Sequence, residues 1–251
     1  MEKVKEVLSD FDVISLEEMD TAGLMDRIDT KFAFHIGILP EILKELVKDY
    51  RVLEVQGKRI SSYESLYFDK SAFDFYKDHH NKKNHRFKIR FRKYADNDLY
   101  FLEVKEKIKG RTKKKRIPVQ KFEYDLSQNS KDFIHKFVAD QENLEPKLWN
   151  TYKRITLVSQ DKKERLTLDT DLKFEWKNEA RQYPQLVIAE LKQEKLDRGS
   201  IFYRMMRSKG MRPYRLSKYC IGAIELYSEK ELKYNRFKKK LLKLKLINDA
   251  T

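Results

Sequence analysis

Residues 84–116 read NHRFKIRFRKY, then ADND, then LYFLEVKEKIKGRTKKKR, and the reading of this stretch decides the fold. In the first run Lys88, Arg90 and Arg92 share one parity, and Phe87, Ile89 and Phe91 the other. Side chains alternate faces along a β-strand, so three cations fall on one side and three large apolar groups on the opposite side. Asp96-Asn97-Asp98 is turn chemistry, and residues 99–107 read as the returning strand. Gly110 then punctuates a third basic run, with Arg111, Lys113 and Lys115 on one parity.

Cations two apart on a strand are separated by roughly 6.8 Å. Each such pair costs about 0.6 kcal/mol on a solvated surface and about 2.4 kcal/mol inside a partly closed cavity. A water-facing charged sheet is therefore cheap, whereas the same row in a cavity needs a polyanion to offset its repulsion. The local pattern admits both readings.

At 251 residues the chain has room for one large domain or two small ones. Its 55 basic against 40 acidic residues give a net charge of +15, which selects anionic partners: nucleic acid, phosphorylated metabolites or a membrane surface. Seven Gly and five Pro beside 15 Phe and 14 Tyr describe an ordered chain, not a low-complexity one. Cys220 stands alone, which excludes an internal disulfide and a Cys-rich zinc cluster and fits a reducing cytoplasm. No charged-then-apolar leader opens the chain, and no run approaches about 20 apolar residues. A soluble cytoplasmic protein is expected, with docking onto a membrane partner at the inner face compatible with the charge.

Working outward, Ser15-Leu16-Glu17-Glu18 matches a capping box and starts a short helix ending near Gly23. Residues 27–36 (RIDTKFAFHI) alternate and predict a strand. Pro40 opens an amphipathic helix on the spacing Ile42, Leu43, Leu46, Val47 and Tyr50. Residues 52–55 and 59–69 predict a hairpin about Gln56-Gly57, and 73–80 a short helix. Downstream, 130–139 reads as helix, 148–159 with 165–171 as a hairpin, and 186–193 as a strand. Asp197 caps a helix that Gly210 ends, 215–227 is another helix, and RFKKKLLKLKL (236–246) is a basic amphipathic tail. His79, His80 and His85 read as solvated, Cys220 and the Met205/Met206 pair as core. The fold class is α+β: an antiparallel β-barrel of about eight strands with helices packed outside.

Polar residues recur at alternate positions of most strands: Arg27/Asp29/Lys31, Tyr63/Ser65/Tyr67, Glu103/Lys105/Lys107, Tyr152/Arg154, Arg165/Thr167/Asp169 and Glu190/Lys192. If the sheet closes, its apolar faces pack against helices and these side chains line a lumen. An eight-stranded barrel has room for about one small ligand along its axis. An extended phosphate chain with a divalent metal fits such a lumen, because every phosphate oxygen needs donors.

Ten motifs occur in order: RIDTKF (27–32), SSYESLYFD (61–69), FYKDHHN (75–81), HRFKIRFRKY (85–94), FLEVKEK (101–107), GRTKKKRIPV (110–119), YKRITL (152–157), RLTLDTDL (165–172), AELKQ (189–193) and RLSKYCIG (215–222). Together they resemble the VTC domain, the polyphosphate-polymerase branch of the triphosphate tunnel metalloenzymes. The resemblance runs from about residue 10 to 228, and it divides the chain into a tunnel domain, 1–228, and a basic helical tail, 229–251. It implies a closed tunnel barrel in which Lys and Arg bind ATP and the growing polyphosphate or pyrophosphate, and a glutamate holds Mn2+ or Mg2+.

Carried over by motif, Lys31, Lys88, Lys105, Lys115 and Arg165 bind phosphates, with Arg90, Arg92, Arg154 and Lys218 as the catalytic cations. Tyr152 and Ser217 add hydrogen bonds, and Glu190 is the main metal ligand. Glu103 is a secondary metal candidate that could instead pair with neighbouring lysines, and the motif does not single out one cation in 111–116. Hydrolases and cyclases of the tunnel class carry Glu-x-Glu-x-Lys on the first barrel strand. Here the strand reads Arg27-Ile28-Asp29-Thr30-Lys31, and the lost glutamate favours transfer to phosphate over hydrolysis. The membrane helices and phosphoinositide-type domain of the eukaryotic assemblies are missing from these residues, so membrane coupling would need a partner. Two rivals stand beside the polymerase: a module that binds polyphosphate or triphosphate without turnover (or hydrolyses tripolyphosphate), and an open stacking platform for nucleic acid, which the resemblance does not lead one to expect.

Overall fold

The computed structural model describes all of the chain except residues 22–26, 109–110, 139–142, 162, 228–231 and 251. Helix α1 (Glu2–Ser9) leads to a short strand β1 (Val13–Ile14) and helix α2 (Leu16–Thr21). The capping box forms as expected: Ser15 Oγ accepts from Glu18 N at 3.1 Å, and Ser15 N donates to the Glu18 carboxylate at 3.0 Å. The expected end of this helix at Gly23 lies outside the described residues. Strand β2 (Ile28–His35) follows, then helix α3 (Leu39–Leu46) with Pro40 in its first turn.

Tyr50 leaves the helix and begins β3 (Tyr50–Leu53). The expected hairpin between 52–55 and 59–69 does not form. Gln56 and Gly57, both at positive φ, close only the Val55–Lys58 bridge, because β3 is already paired with β1 on one side and with residues 157–159 on the other. Strand β4 (Ser61–Lys70) instead leads through α4 (Asp74–His80) to β5 (His85–Tyr94), β6 (Leu99–Ile108) and β7 (Arg111–Val119). After α5 (Gln128–His135) come two long strands, β8 (Leu144–Ser159) and β9 (Glu164–Trp176), then β10 (Glu179–Tyr183), which the sequence did not reveal, and β11 (Leu186–Gln193). Helix α6 (Ile201–Ser208) is capped by Ser200 rather than Asp197, whose carboxylate accepts from Gly199 N in the preceding turn. Helices α7 (Lys218–Leu226) and α8 (Asn235–Asn248) complete the chain.

Eight strands run in the order β2-β11-β9-β8-β4-β5-β6-β7, each described pair antiparallel, and curl into a half-barrel. The barrel expected to close does not: among the described residues β2 and β7 are unpaired ends. The composition of β7 accounts for this. Arg111–Arg116 are all exposed, and Pro118 cannot donate to a neighbour, so the strand has the charge and proline that keep an edge open.

Two apolar clusters cover the convex side. In one, Phe32, Phe34, Leu166, Leu168 and Leu191 meet α1, α3 and α6; in the other, Leu66, Phe68, Ile89, Phe91 and Val104 meet α5. A third cluster lies on the concave side. There Leu148, Phe174, Leu186 and Ile188 receive Tyr219, Cys220 and Ala223 of α7, while Leu241 and Leu244 of α8 join the same cluster. Helices were expected outside only; α7 instead enters one end of the half-barrel because the inward residues there are apolar. His80 departs from its solvated reading as well, being 6% exposed and hydrogen-bonded to Asn235. Cys220, Met205 and Met206 are core, as expected.

The α7 seat depends on Gly222, since a Cβ there would meet the Phe174 ring 2.4 Å away. Gly222→Ala is expected to destabilise the protein by about 1–3 kcal/mol through overpacking, read as a lower urea midpoint at unchanged slope.

Candidate functional site

The end of the half-barrel not filled by α7 holds a cavity of about 640 Å³. Twelve lysines and arginines and three carboxylates line it among the described residues. The strand parity explains the wall: Lys88, Arg90 and Arg92 of β5 face in, while Ile89 and Phe91 enter the convex core. Lys31 of β2, Lys105 of β6, Arg154 of β8, Arg165 of β9 and Glu190 of β11 converge on the same space. Tyr152 also lines it, and Ser217 and Lys218 reach in from the start of α7, where Ser217 Oγ caps the helix by accepting from Cys220 N. Arg165 additionally donates to the Met19 carbonyl at 3.1 Å.

One sequence-named cation is elsewhere. Lys115 pairs in register with Val104, a convex-core residue, and so points away from the cavity. Its neighbours Lys114 and Arg116 line the wall instead, opposite Lys105 and Glu103. The signal was present: Ile117 and Val119 share the parity of Lys115 and pack on the convex cluster.

Within the wall, two buried carboxylates and one half-buried one each hold two cations. Glu103 accepts from Arg90 Nε at 2.8 Å and Nη2 at 2.6 Å, and Lys114 Nζ lies 3.3 Å from its other oxygen. Asp169 takes both arms of Arg154, at 2.6 and 2.8 Å, and also pairs with Lys218. Glu190 lies 3.4 Å from Lys31 and 3.1 Å from Lys192. Burial alone would raise these carboxyls, yet the adjoining cations hold all three well below the ordinary carboxylate range. Asp169 and Lys192 were visible in the sequence only as members of alternating rows; their pairing depends on register across strands.

Four inward cations have no carboxylate within 4.0 Å among the described residues: Lys88, Arg92, Lys105 and Arg116. Arg92, 6% exposed, donates to Tyr152 Oη at 2.7 Å and lies over the Tyr63 ring at 5.4 Å. Burial, reinforced by Lys31, Arg86 and Arg90, pushes Lys88 down to about 7. The Arg90 charge and burial hold Lys105 well below the lysine range. Burial and Arg154, opposed by Asp169, bring Lys218 to about 8. The cavity is thus charged beyond what its own carboxylates neutralise.

No group of three or more His, Cys, Asp or Glu side chains comes together among the described residues. Glu103 has both oxygens engaged by Arg90 and Lys114 and is fully buried, which makes it a counter-ion to those cations. Of the lining carboxylates Asp29, Asp96 and Glu190, Glu190 is the one set among Lys31, Lys105, Arg154 and Lys192. Its donor set fits a divalent ion that brings phosphate oxygens with it, since Mg2+ takes one or two carboxylates plus substrate phosphates.

The profile of the VTC domain matches residues 26–227. The chain belongs to the VTC domain family. In this VTC domain the matched span takes in every strand from β2 to β11 and helix α7, and leaves α1, α2 and α8 outside. No curated protein matches the chain. Solved structures that it resembles distantly include HpAC1 of Hippeastrum, described as a putative adenylyl cyclase with a dominant triphosphatase activity: 12% identity, 81% of this chain, 98% of that one, TM-score 0.49. PH1819 of Pyrococcus horikoshii gives 14% identity over 76% of this chain and 96% of that one, at a TM-score of 0.43. The S. pombe RNA triphosphatase Pct1 gives 11% identity over 74% and 77%, at 0.24.

The low lysines of the VTC domain carry a pH prediction. Lys88 and Lys218 are depressed from 10.5 to about 7 and about 8, so between those values and 10.5 the unfolded chain binds more protons. Their contribution makes the free protein more stable as pH rises through that window, and the gain is lost as pH falls towards about 7. Tripolyphosphate favours the protonated lysines and reverses the trend. Its binding at pH 8 is expected to take up protons, measured by calorimetry in two buffers of different ionisation enthalpy. An identical heat in both buffers would reject the linkage.

Proposed function

We propose that this VTC domain is a polyphosphate polymerase, transferring the γ-phosphoryl group of ATP to phosphate or to a polyphosphate end. A terminal phosphate oxygen attacks the γ-phosphorus, the bond to the β-phosphate oxygen breaks, and ADP leaves. The observation that carries the reading is the set of inward cations without carboxylate partners, Lys88, Arg92, Lys105 and Arg116, beside three carboxylates that already have cation partners of their own. Only a ligand with closely spaced negative charges offsets that field along its length.

Phosphoryl transfer asks the protein for alignment and charge neutralisation more than for covalent chemistry. Arg92 and Lys105 are free to take equatorial phosphate oxygens. Arg90 and Arg154 are held rigid by Glu103 and Asp169 and present their remaining N–H groups in fixed directions. Lys218 sits on the same carboxylate as Arg154 and supplies a further donor. The incoming phosphate is already anionic, so no protein base is assigned. Glu190 would hold a divalent ion, Mn2+ or Mg2+, which when bound neutralises phosphate charge. Transfer is favoured over hydrolysis because β2 has lost one carboxylate of the hydrolase pattern, and Arg27 Nε lies 3.2 Å from the remaining one, Asp29.

The test is incubation with ATP and manganese followed by gel analysis. Long phosphate chains with ADP are expected. ADP and orthophosphate alone would assign hydrolysis, and tight binding without turnover a binding module.

A further inference from the structure

Helix α8 has two apolar sides. The inner one, Leu241 and Leu244 with Phe237 and Ile247, packs on the cluster around α7. The outer one carries Leu242, 53% exposed, and Leu246, 73% exposed, one helical turn apart. At 3.6 residues per turn these two leucines occupy the middle of the solvent-facing side. Lys238 and Lys245 flank them on one edge, Lys239 and Lys243 on the other, and all four are exposed. Residues 235–248 contain no Asp or Glu.

Two of the four lysines have an inward contact among the described residues. Lys245 lies 3.2 Å from Glu225 at its root on α7, and Lys243 lies 5.1 Å from the Tyr214 ring. Lys238 and Lys239 have no carboxylate within 4.0 Å among the described residues. An apolar stripe between two cationic edges is the pattern of a helix lying in a membrane interface, leucines among the acyl boundary and lysine heads at the phosphates.

We propose that this outer face of α8 docks flat on an anionic lipid bilayer surface. The alternatives fit the charges less well. A second copy of the chain would set four lysines against four lysines with no acid on the helix to offset them. A nucleic acid would take the lysines and leave both leucines in water. No described helix is long and apolar enough to cross a bilayer, so attachment by this face is peripheral. The inference is independent of the chemistry assigned to the cavity.

Flotation of the full chain with vesicles tests it. Binding is expected to vesicles of phosphatidylcholine with phosphatidylglycerol, to weaken as salt rises, and to fall away on phosphatidylcholine alone. The double change Leu242→Ser with Leu246→Ser should weaken partitioning by about tenfold, and Lys238→Gln or Lys239→Gln by about fivefold each. Thermal unfolding of each variant should match the parent, because these side chains face solvent. Equal binding to neutral vesicles, indifference to the leucine changes, or no binding at all would overturn the proposal. So would a dimer in sedimentation velocity that the leucine double variant abolishes.

Discussion

Arg90→Ala is expected to lower the unfolding free energy by about 3 kcal/mol, the lower end of the range for breaking a buried ion pair. Glu103 is completely buried and takes two hydrogen bonds from Arg90, so removing the guanidinium leaves a carboxylate with Lys114 alone at 3.3 Å. Tyr67 Oη loses its partner as well, at 3.0 Å from Arg90 Nη1. For a chain of this size the melting temperature should fall by about 6–12 °C. The double variant Arg90→Met with Glu103→Met should recover most of the loss, because two well-packed apolar groups replace two desolvated charges. If the double variant is no more stable than the single one, the pair is not what holds this part of the wall.

Arg92→Ala is expected to act on rate more than on stability. Two residues along the same strand, Arg92 is equally buried but has no carboxylate to strand when it leaves; its hydrogen bonds go to Tyr152 and Ser65. Removing it relieves repulsion from Arg90 but takes the donor from Tyr152 Oη, so the unfolding midpoint should fall by less than for Arg90→Ala. The rate of the proposed phosphoryl transfer should nevertheless fall by about 10²–10³-fold, the usual cost of deleting one pre-aimed donor at a developing charge. Rate and stability measured on the same preparation separate the two roles, and an unchanged rate would remove Arg92 from the transfer step. The two arginines look alike in the sequence, and only their partners distinguish them.

Much of the fold was legible because its elements are periodic. From Arg86 to Arg92 on β5 and from Leu102 to Lys105 on β6 the apolar and charged residues alternate, and the faces they adopt are those expected. The capping box at Ser15 and the proline start of α3 are local signals met by local geometry. Reading failed where the pattern was uniform or a neighbour intervened. Within 111–116 every position but Thr112 is basic, so only the apolar residues beyond could orient β7. Asp171, at φ 53°, sits beside a register irregularity after which Leu172 and Phe174 face the concave side, so the alternation of 165–169 does not continue. The 52–55 segment alternates well enough for a hairpin, but β1 and β8 claim its edges.

The amino-acid order by itself determined which residues share a face and how strongly positive that face is. Face membership needs only backbone periodicity, and net charge needs only counting. Tertiary structure decided which cations Glu103, Asp169 and Glu190 neutralise, which are left for a ligand, and that the half-barrel stays open while α7 fills one end. Coulombic pairing and desolvation depend on distances between strands far apart in the chain, and those distances exist only once the sheet has curled.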